Sequence, residues 1–87
     1  MVQNSPSQYP RALIVEDETM IALGLEAHLR ELDFQACDLA ADGDQALSHV
    51  MSNRPNIVLM EVNLEGNREG IEVARTLRET CDVPIVL

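Results

Sequence analysis

The chain has 87 residues, of which 46% are hydrophobic, and fifteen acidic against six basic side chains give a formal net charge of −9. An acidic surface repels nucleic-acid backbones and anionic membranes, so a cation or a basic protein surface is the expected kind of partner. With one Phe, one Tyr and no Trp, the core must be built from Leu, Ile, Val, Ala and Met. The length allows one small domain, near the size at which a single core is marginally stable.

The N-terminal residues 1–10 are polar, contain two prolines and are predicted to form a disordered leader before one domain at 11–87. No apolar run reaches the roughly 20 residues of a membrane span, and the leader lacks the apolar stretch of a secretion signal. Cys37 and Cys81 have no metal-ligand spacing and are interpreted as ordinary thiols. These features favour a cytoplasmic protein.

A first strand is predicted at residues 12–15, where the apolar run ALIV stops at the acidic EDE. A helix is predicted from Thr19 to about Leu32, with Asp17 or Thr19 as its cap. Its apolar residues recur at helical spacing and form one stripe. The stripe consists of Ile21, Leu25, Leu29 and Leu32.

The rest of the chain continues the alternation of strand and helix. Strands are predicted at 34–40 (FQACDLA), 56–60 (NIVLM) and 83–87 (VPIVL), and helices at 42–53 and 70–79. The apolar helix positions are Ala46, Leu47, Val50 and Met51 in the second helix, and Ile71, Ala74 and Leu77 in the third. Met20, Met51 and Met60 are expected to fill the core.

The resulting order is β-α-β-α-β-α-β. Nearly continuous apolar strands separated by amphipathic helices are typical of a doubly wound parallel sheet covered on both faces. Right-handed crossovers place the carboxyl ends of all strands at one edge. In such sheets ligands bind at that edge, at the point where the strand order reverses.

Acidic residues follow two of the predicted strands directly. Glu16 and Asp17 come after the first strand and Glu61 after the third. If these strands are neighbours, the three carboxylates converge, and Mg²⁺ is the usual remedy for their repulsion. The backbone carbonyl of Asn63 is placed to supply a further oxygen. The alternative is that acids after strands cap helices and stay solvated, which is the preferred interpretation for Glu18.

The segments ALIVEDETMIALGLEAHLRELDF, AADGDQAL and RPNIVLMEVNLEGNREGIEVARTLRE resemble, in this order and spacing, the receiver domains of two-component response regulators. The resemblance implies a flavodoxin-like (βα)5 fold that takes a phosphoryl group from a histidine kinase or phosphotransfer protein onto an Asp, with Mg²⁺ required. It implies Asp17 as a direct metal ligand, Glu16 as a ligand through water and Asn63 as a carbonyl ligand. The turn residues that match are Asp42, Gly43, Gly66 and Gly70.

The sequence departs from the family at the acceptor position. Glu61 stands where the family has its phospho-accepting Asp. The extra methylene moves the carboxylate outward, and a misplacement on the order of 1 Å costs about 10²-fold in such a reaction. We expect Glu61 to block phosphorylation or to mimic it in part; the alternatives are that it only keeps the site polar, or that the chain is a docking module that no longer takes phosphate.

The second departure is at the C-terminus. The chain stops at Leu87, inside the fourth predicted strand, before the family's Ser or Thr, its Lys and its remaining elements. We therefore expect a partial receiver domain, and an open strand edge that favours a homodimer or a strand-swapped dimer.

An enzyme is not expected. A Mg²⁺-dependent phosphotransferase with an aspartyl nucleophile would need an Asp with a second acid two residues later, whereas the segment EVN provides Glu61 and Asn63.

Overall fold

The structure is a computed structural model that describes residues 10–34, 36–60 and 69–86. Strands and helices alternate along the chain as the sequence predicts. The strands are β1 (Arg11–Val15), β2 (Ala36–Ala40), β3 (Ile57–Met60) and β4 (Ile85–Val86), and the helices are α1 (Thr19–Glu31), α2 (Gly43–Asn53) and α3 (Glu69–Thr80). Within the described ranges, no helix has both the length and the hydropathy that crossing a membrane requires. Most of the predicted leader lies outside the described residues, so its disorder stays a prediction.

The strands form one parallel sheet in the order β2-β1-β3-β4. The order reverses between β1 and β3, because the chain runs from β1 outward to β2 and then returns to the other side of β1. Val15, the last residue of β1, is opposite Ala40 on one side and Met60 on the other. The strand ends are therefore level at the carboxyl edge, as predicted for a doubly wound sheet.

Alternate residues of β1 enter two separate cores, as the two-residue period of a strand requires. Leu13 and Val15 pack in the larger core, under α2 and α3, while Ala12 and Ile14 pack in the smaller one, under α1. Both faces of this strand are buried, which explains why its sequence is continuously apolar rather than alternating.

The buried side of α1 agrees only in part with the predicted stripe. Ala22 and Leu29 are the buried residues and Leu25 is half-buried, whereas Ile21 is 44% and Leu32 is 69% exposed. The side of α1 that contacts the sheet includes the small residue Ala22, which is not part of the predicted stripe. Leu32 is exposed because it lies at the C-cap, beyond the last turn of the helix.

The N-terminal caps of α1 and α2 differ from each other. Glu18 is the N-cap of α1 and makes no side-chain capping bond, so the prediction that Asp17 or Thr19 caps this helix was wrong. Asp42, which the family resemblance places at the start of the second helix, is the N-cap of α2: its Oδ1 accepts a hydrogen bond from the Gln45 backbone N–H at 2.9 Å. This bond satisfies one of the free N–H groups at the helix start.

Some apolar side chains that were expected in the core are exposed. Met60 is buried as expected, but Met20 is 81% and Met51 is 59% exposed, so the assignment of these two to the core was wrong. In α3, Leu77 is fully buried while Ile71 is 45% exposed.

The burial of β1 predicts a stability difference between two matched variants. We expect Ile14→Val to lower the free energy of unfolding by about 1 kcal/mol, because it removes a methyl group from a filled core. Ile71→Val makes the same change at a half-exposed helix position and should cost less than about 0.5 kcal/mol. Urea unfolding followed by circular dichroism measures both, and equal losses would contradict the burial of Ile14.

Candidate functional site

The chain leaves β1 through a tightly held acidic turn. The Glu16 backbone N–H donates to the Ala40 carbonyl at 2.9 Å, which continues the pairing with β2 by one residue. The Glu16 side chain is buried, with 5% exposure, and its Oε2 accepts a hydrogen bond from the Glu18 backbone N–H at 3.0 Å. A buried carboxylate fixed by the following turn is an unusual use of Glu, since charged side chains are seldom buried.

The two adjacent acids have different surroundings. Asp17 is exposed at the carboxyl edge, whereas Glu16 is directed into the protein. Glu18 is also exposed, in line with the preferred interpretation of a solvated residue. One carboxylate is thus accessible to a ligand from solvent, and a second lies behind it.

The neighbouring strand end belongs to β3. Because Val15 is opposite Met60, the chain leaves β1 and β3 at adjacent points of the same edge. Glu61 follows Met60 in the sequence, but Glu61 and Asn63 lie outside the described residues. The structure therefore places two of the four predicted ligands, and the described residues contain no cluster of three or more metal-binding side chains.

Sequence reasoning missed an apolar hollow beside Glu16. It has a volume of about 310 Å³, and its walls include Ile21, Leu59, Met60 and Val86. The sequence signal for this hollow is the apolar Ile21, which follows the acidic turn closely.

An exposed apolar surface on α1 was also missed. We call it the α1 surface; it consists of Met20, Leu23 and Ala27, all exposed and spaced at three and four residues along one side of the helix. Met20 lies three residues after Asp17, so the α1 surface begins next to the acidic turn. An exposed apolar strip beside a polar site is typical of a protein contact.

The hydrogen bond from Glu18 to Glu16 predicts a local change in amide exchange. Glu16→Ala removes the acceptor, so the Glu18 amide should exchange about tenfold faster, in line with a net loss of about 1.4 kcal/mol. Glu16→Gln keeps an acceptor oxygen and should retain most of the protection. Hydrogen exchange by NMR measures both; unchanged exchange in Glu16→Ala would show that this bond does not hold the turn.

Comparison with known proteins identifies the family to which this chain belongs. Residues 12–87 match the response regulator receiver domain. The chain is 37% identical to the transcriptional regulatory protein BaeR of Escherichia coli O6:H1, over 90% of this chain and 32% of BaeR. It is 40% identical to the DNA-binding response regulator MtrA of Mycobacterium tuberculosis H37Rv, over 88% of this chain and 33% of MtrA. It thus spans about a third of the length of these curated relatives.

Solved structures agree with the sequence match. The receiver domain of the Erythrobacter litoralis response regulator PhyR superposes with a TM-score of 0.79 and 31% identity, over 90% of this chain and 60% of that chain. The parallel sheet with its three helices has the flavodoxin-like arrangement of a receiver. The chain belongs to the response regulator receiver domain family of two-component signalling.

Proposed function

We propose that this chain is a receiver module in which a Mg²⁺-binding acidic crevice at the carboxyl edge serves phosphoryl transfer, and that Glu61 weakens or replaces that transfer. One observation carries the proposal: Glu16 and Asp17 follow β1 at the same edge at which β3 ends, directly before Glu61 in sequence. Family membership supplies the donor class, a histidine kinase or a phosphotransfer protein.

The residues fit a hard divalent cation. All proposed donors are oxygens, which Mg²⁺ prefers, and Mg²⁺ retains several waters when it binds one or two carboxylates. Asp17, exposed at the edge, would bind directly, and buried Glu16 would act through water; Glu61 and the Asn63 carbonyl complete the proposed set. When bound, the ion would neutralise charge on the phosphoryl group.

The substitution at Glu61 defines the proposed alteration. Transfer to an Asp at this position forms a bond between a carboxylate oxygen and phosphorus, while the bond from phosphorus to the donor breaks and its electrons leave with the donor. The Glu carboxylate is displaced outward by one methylene. Because this reaction depends on alignment, a displacement on the order of 1 Å costs about 10²-fold. A permanent negative charge at this place would also resemble the phosphorylated form in part.

The α1 surface is the proposed contact for the phosphoryl donor. A protein that delivers a phosphoryl group to the crevice must lie over the adjoining surface, and Met20 is 81% exposed there. Exposed apolar groups next to a reaction site provide the binding energy that positions the partner.

A second candidate is a receiver-like docking module that binds the same partner without accepting phosphate. Glu61 favours it, and the α1 surface does not require a working crevice. Under either candidate we propose a non-enzymatic, cytoplasmic module that binds neither nucleic acid nor membrane, in line with its net charge of −9. Self-association as a homodimer or strand-swapped dimer stays a prediction; Val86 of β4 is half exposed.

The test is phosphorylation by acetyl phosphate, read as the gain of one phosphoryl group in the intact mass. Without Mg²⁺ neither protein should be labelled. With Mg²⁺, Glu61→Asp should be labelled about 10²-fold faster than the unchanged chain, because the carboxylate returns to the reacting position.

The control is the double variant Glu61→Asp with Asp17→Asn, which should lose labelling because its metal ligand is removed. Equal labelling of the unchanged chain and Glu61→Asp would refute the blocking role of Glu61. Labelling of neither, in a folded protein that binds Mg²⁺, would favour the docking module.

A further inference from the structure

A second groove lies away from the acidic turn, between α2 and α3. Its volume is about 410 Å³, and Leu47, Val73 and Leu77 contribute its apolar lining. Leu77 is fully buried, while Leu47 and Val73 are half-buried. The lining is therefore partly covered by the protein and partly open to a ligand, and the volume falls within the range of binding sites, about 300–1,000 Å³.

The close approach of the two helices shapes this groove. A Cβ atom on Gly43 would lie 2.6 Å from Val73 Cγ2, so only Gly fits at this position without a shift of its neighbour. The start of α2 is held by the Asp42 cap described above. The groove thus depends on a fixed backbone rather than on flexible side chains alone.

The rest of the lining consists of three acidic residues together with Gly43 and Thr76. Asp42, Asp44 and Glu72 border the groove, and Asp44 and Glu72 are exposed. No Arg is among the residues that line the groove. In the part of the chain that the structure describes, the ion pair is formed by Arg30 and Glu26, both on α1. The groove therefore combines an apolar floor with three acidic side chains and has no Arg in its lining.

We propose that this α2–α3 groove docks an arginine-bearing segment of a partner protein, in which an apolar side chain lies next to the Arg. The apolar side chain and the Arg stem would pack on Leu47 and Val73, and the guanidinium would lie between Asp44 and Glu72. Long basic side chains bury their stems on apolar surface while the charged end stays with its partners. This goes beyond the proposed phosphotransfer, since neither Asp17 nor Glu61 takes part.

Charge decides between a partner segment and a second copy of the chain. A second copy would bring a further net charge of −9 to an acidic groove, which opposes association. A basic segment removes that repulsion and also gains attraction.

The test is an NMR titration of the full chain at low salt with the peptide acetyl-Ala-Arg-Leu-Arg-Ala-amide. We expect saturable amide shifts confined to residues 42–47 and 72–77. The same peptide with citrulline in place of Arg keeps the shape without the charge and should bind about fivefold more weakly. Equal binding of the two peptides, shifts spread over the whole acidic surface, or no saturable shift would overturn the proposal.

Protein variants separate the groove from general acidity. The pair Asp44→Asn with Glu72→Gln should weaken the Arg peptide about fivefold, whereas Glu79→Gln with Asp82→Asn changes the net charge equally at exposed positions outside the groove and should not. Thr76→Trp, at an exposed position that borders the groove, should block binding. Equal effects of the two pairs would refute docking in the groove.

Two other occupants are distinguishable in the same experiment. If arginine amide alone binds as tightly as the peptide, the groove is a site for a small guanidinium compound and the partner segment is wrong. If the signals of residues 72–77 shift on dilution without peptide, a second copy occupies the groove and the proposal is likewise wrong.

Discussion

The parallel pairing of β1 with β3 is the constraint on which the rest of the molecule depends. It makes β1 a central strand, buried on both faces, and it places the reversal of strand order at the carboxyl end of β1. Acidic side chains usually lie at the protein surface. Glu16, however, follows directly after the buried Val15 and is itself buried. The fold therefore provides one carboxylate inside the edge and one, Asp17, outside it.

The two faces of the sheet are covered unequally by the described elements. Two helices, α2 and α3, cover the larger core, whereas α1 covers the smaller one. The apolar hollow between Glu16 and Val86 lies on the α1 side, and the exposed α1 surface begins beside it. On the other side, α2 and α3 approach each other closely where Val73 meets Gly43, and the larger groove lies beside that contact. The proposed contact for a phosphoryl donor, on the α1 side, and the proposed groove for a basic segment, on the α2–α3 side, therefore lie on different faces of the sheet.

The sequence predicts the order of strands and helices well, because strands buried on both faces are continuously apolar and the helices between them are amphipathic. It predicts less well where the buried side of each helix ends: Ala46, Val50, Ala74 and Leu77 are buried as predicted, but Met51 and Ile71 are exposed. In α1, Ile21 belongs to the predicted stripe and is exposed, whereas small Ala22 lies against the sheet. Hydrophobicity gives little weight to Ala, although a small residue allows close helix packing.

The candidate site was likewise predicted from the sequence only in part. The positions of Glu16 and Asp17 follow from strand order and spacing, so the sequence predicts them. The burial of one and the exposure of the other depend on the turn held by Glu18 and were not predicted. The α2–α3 groove joins residues about thirty positions apart, such as Leu47 and Leu77, and no local pattern indicates that pairing. For Glu61 and Asn63, the sequence remains the source of their proposed roles.

The most direct test of the acidic crevice is a Mg²⁺ titration followed by NMR, on the unchanged chain and on two variants. Asp17→Asn removes an exposed acid at the carboxyl edge, and Asp82→Asn removes an exposed acid after α3. We expect saturable shifts at residues 15–18 in the unchanged chain and in Asp82→Asn, and their loss in Asp17→Asn. Absence of binding in the unchanged chain, or equal binding in Asp17→Asn, would contradict the claim that these acids form a metal-binding crevice.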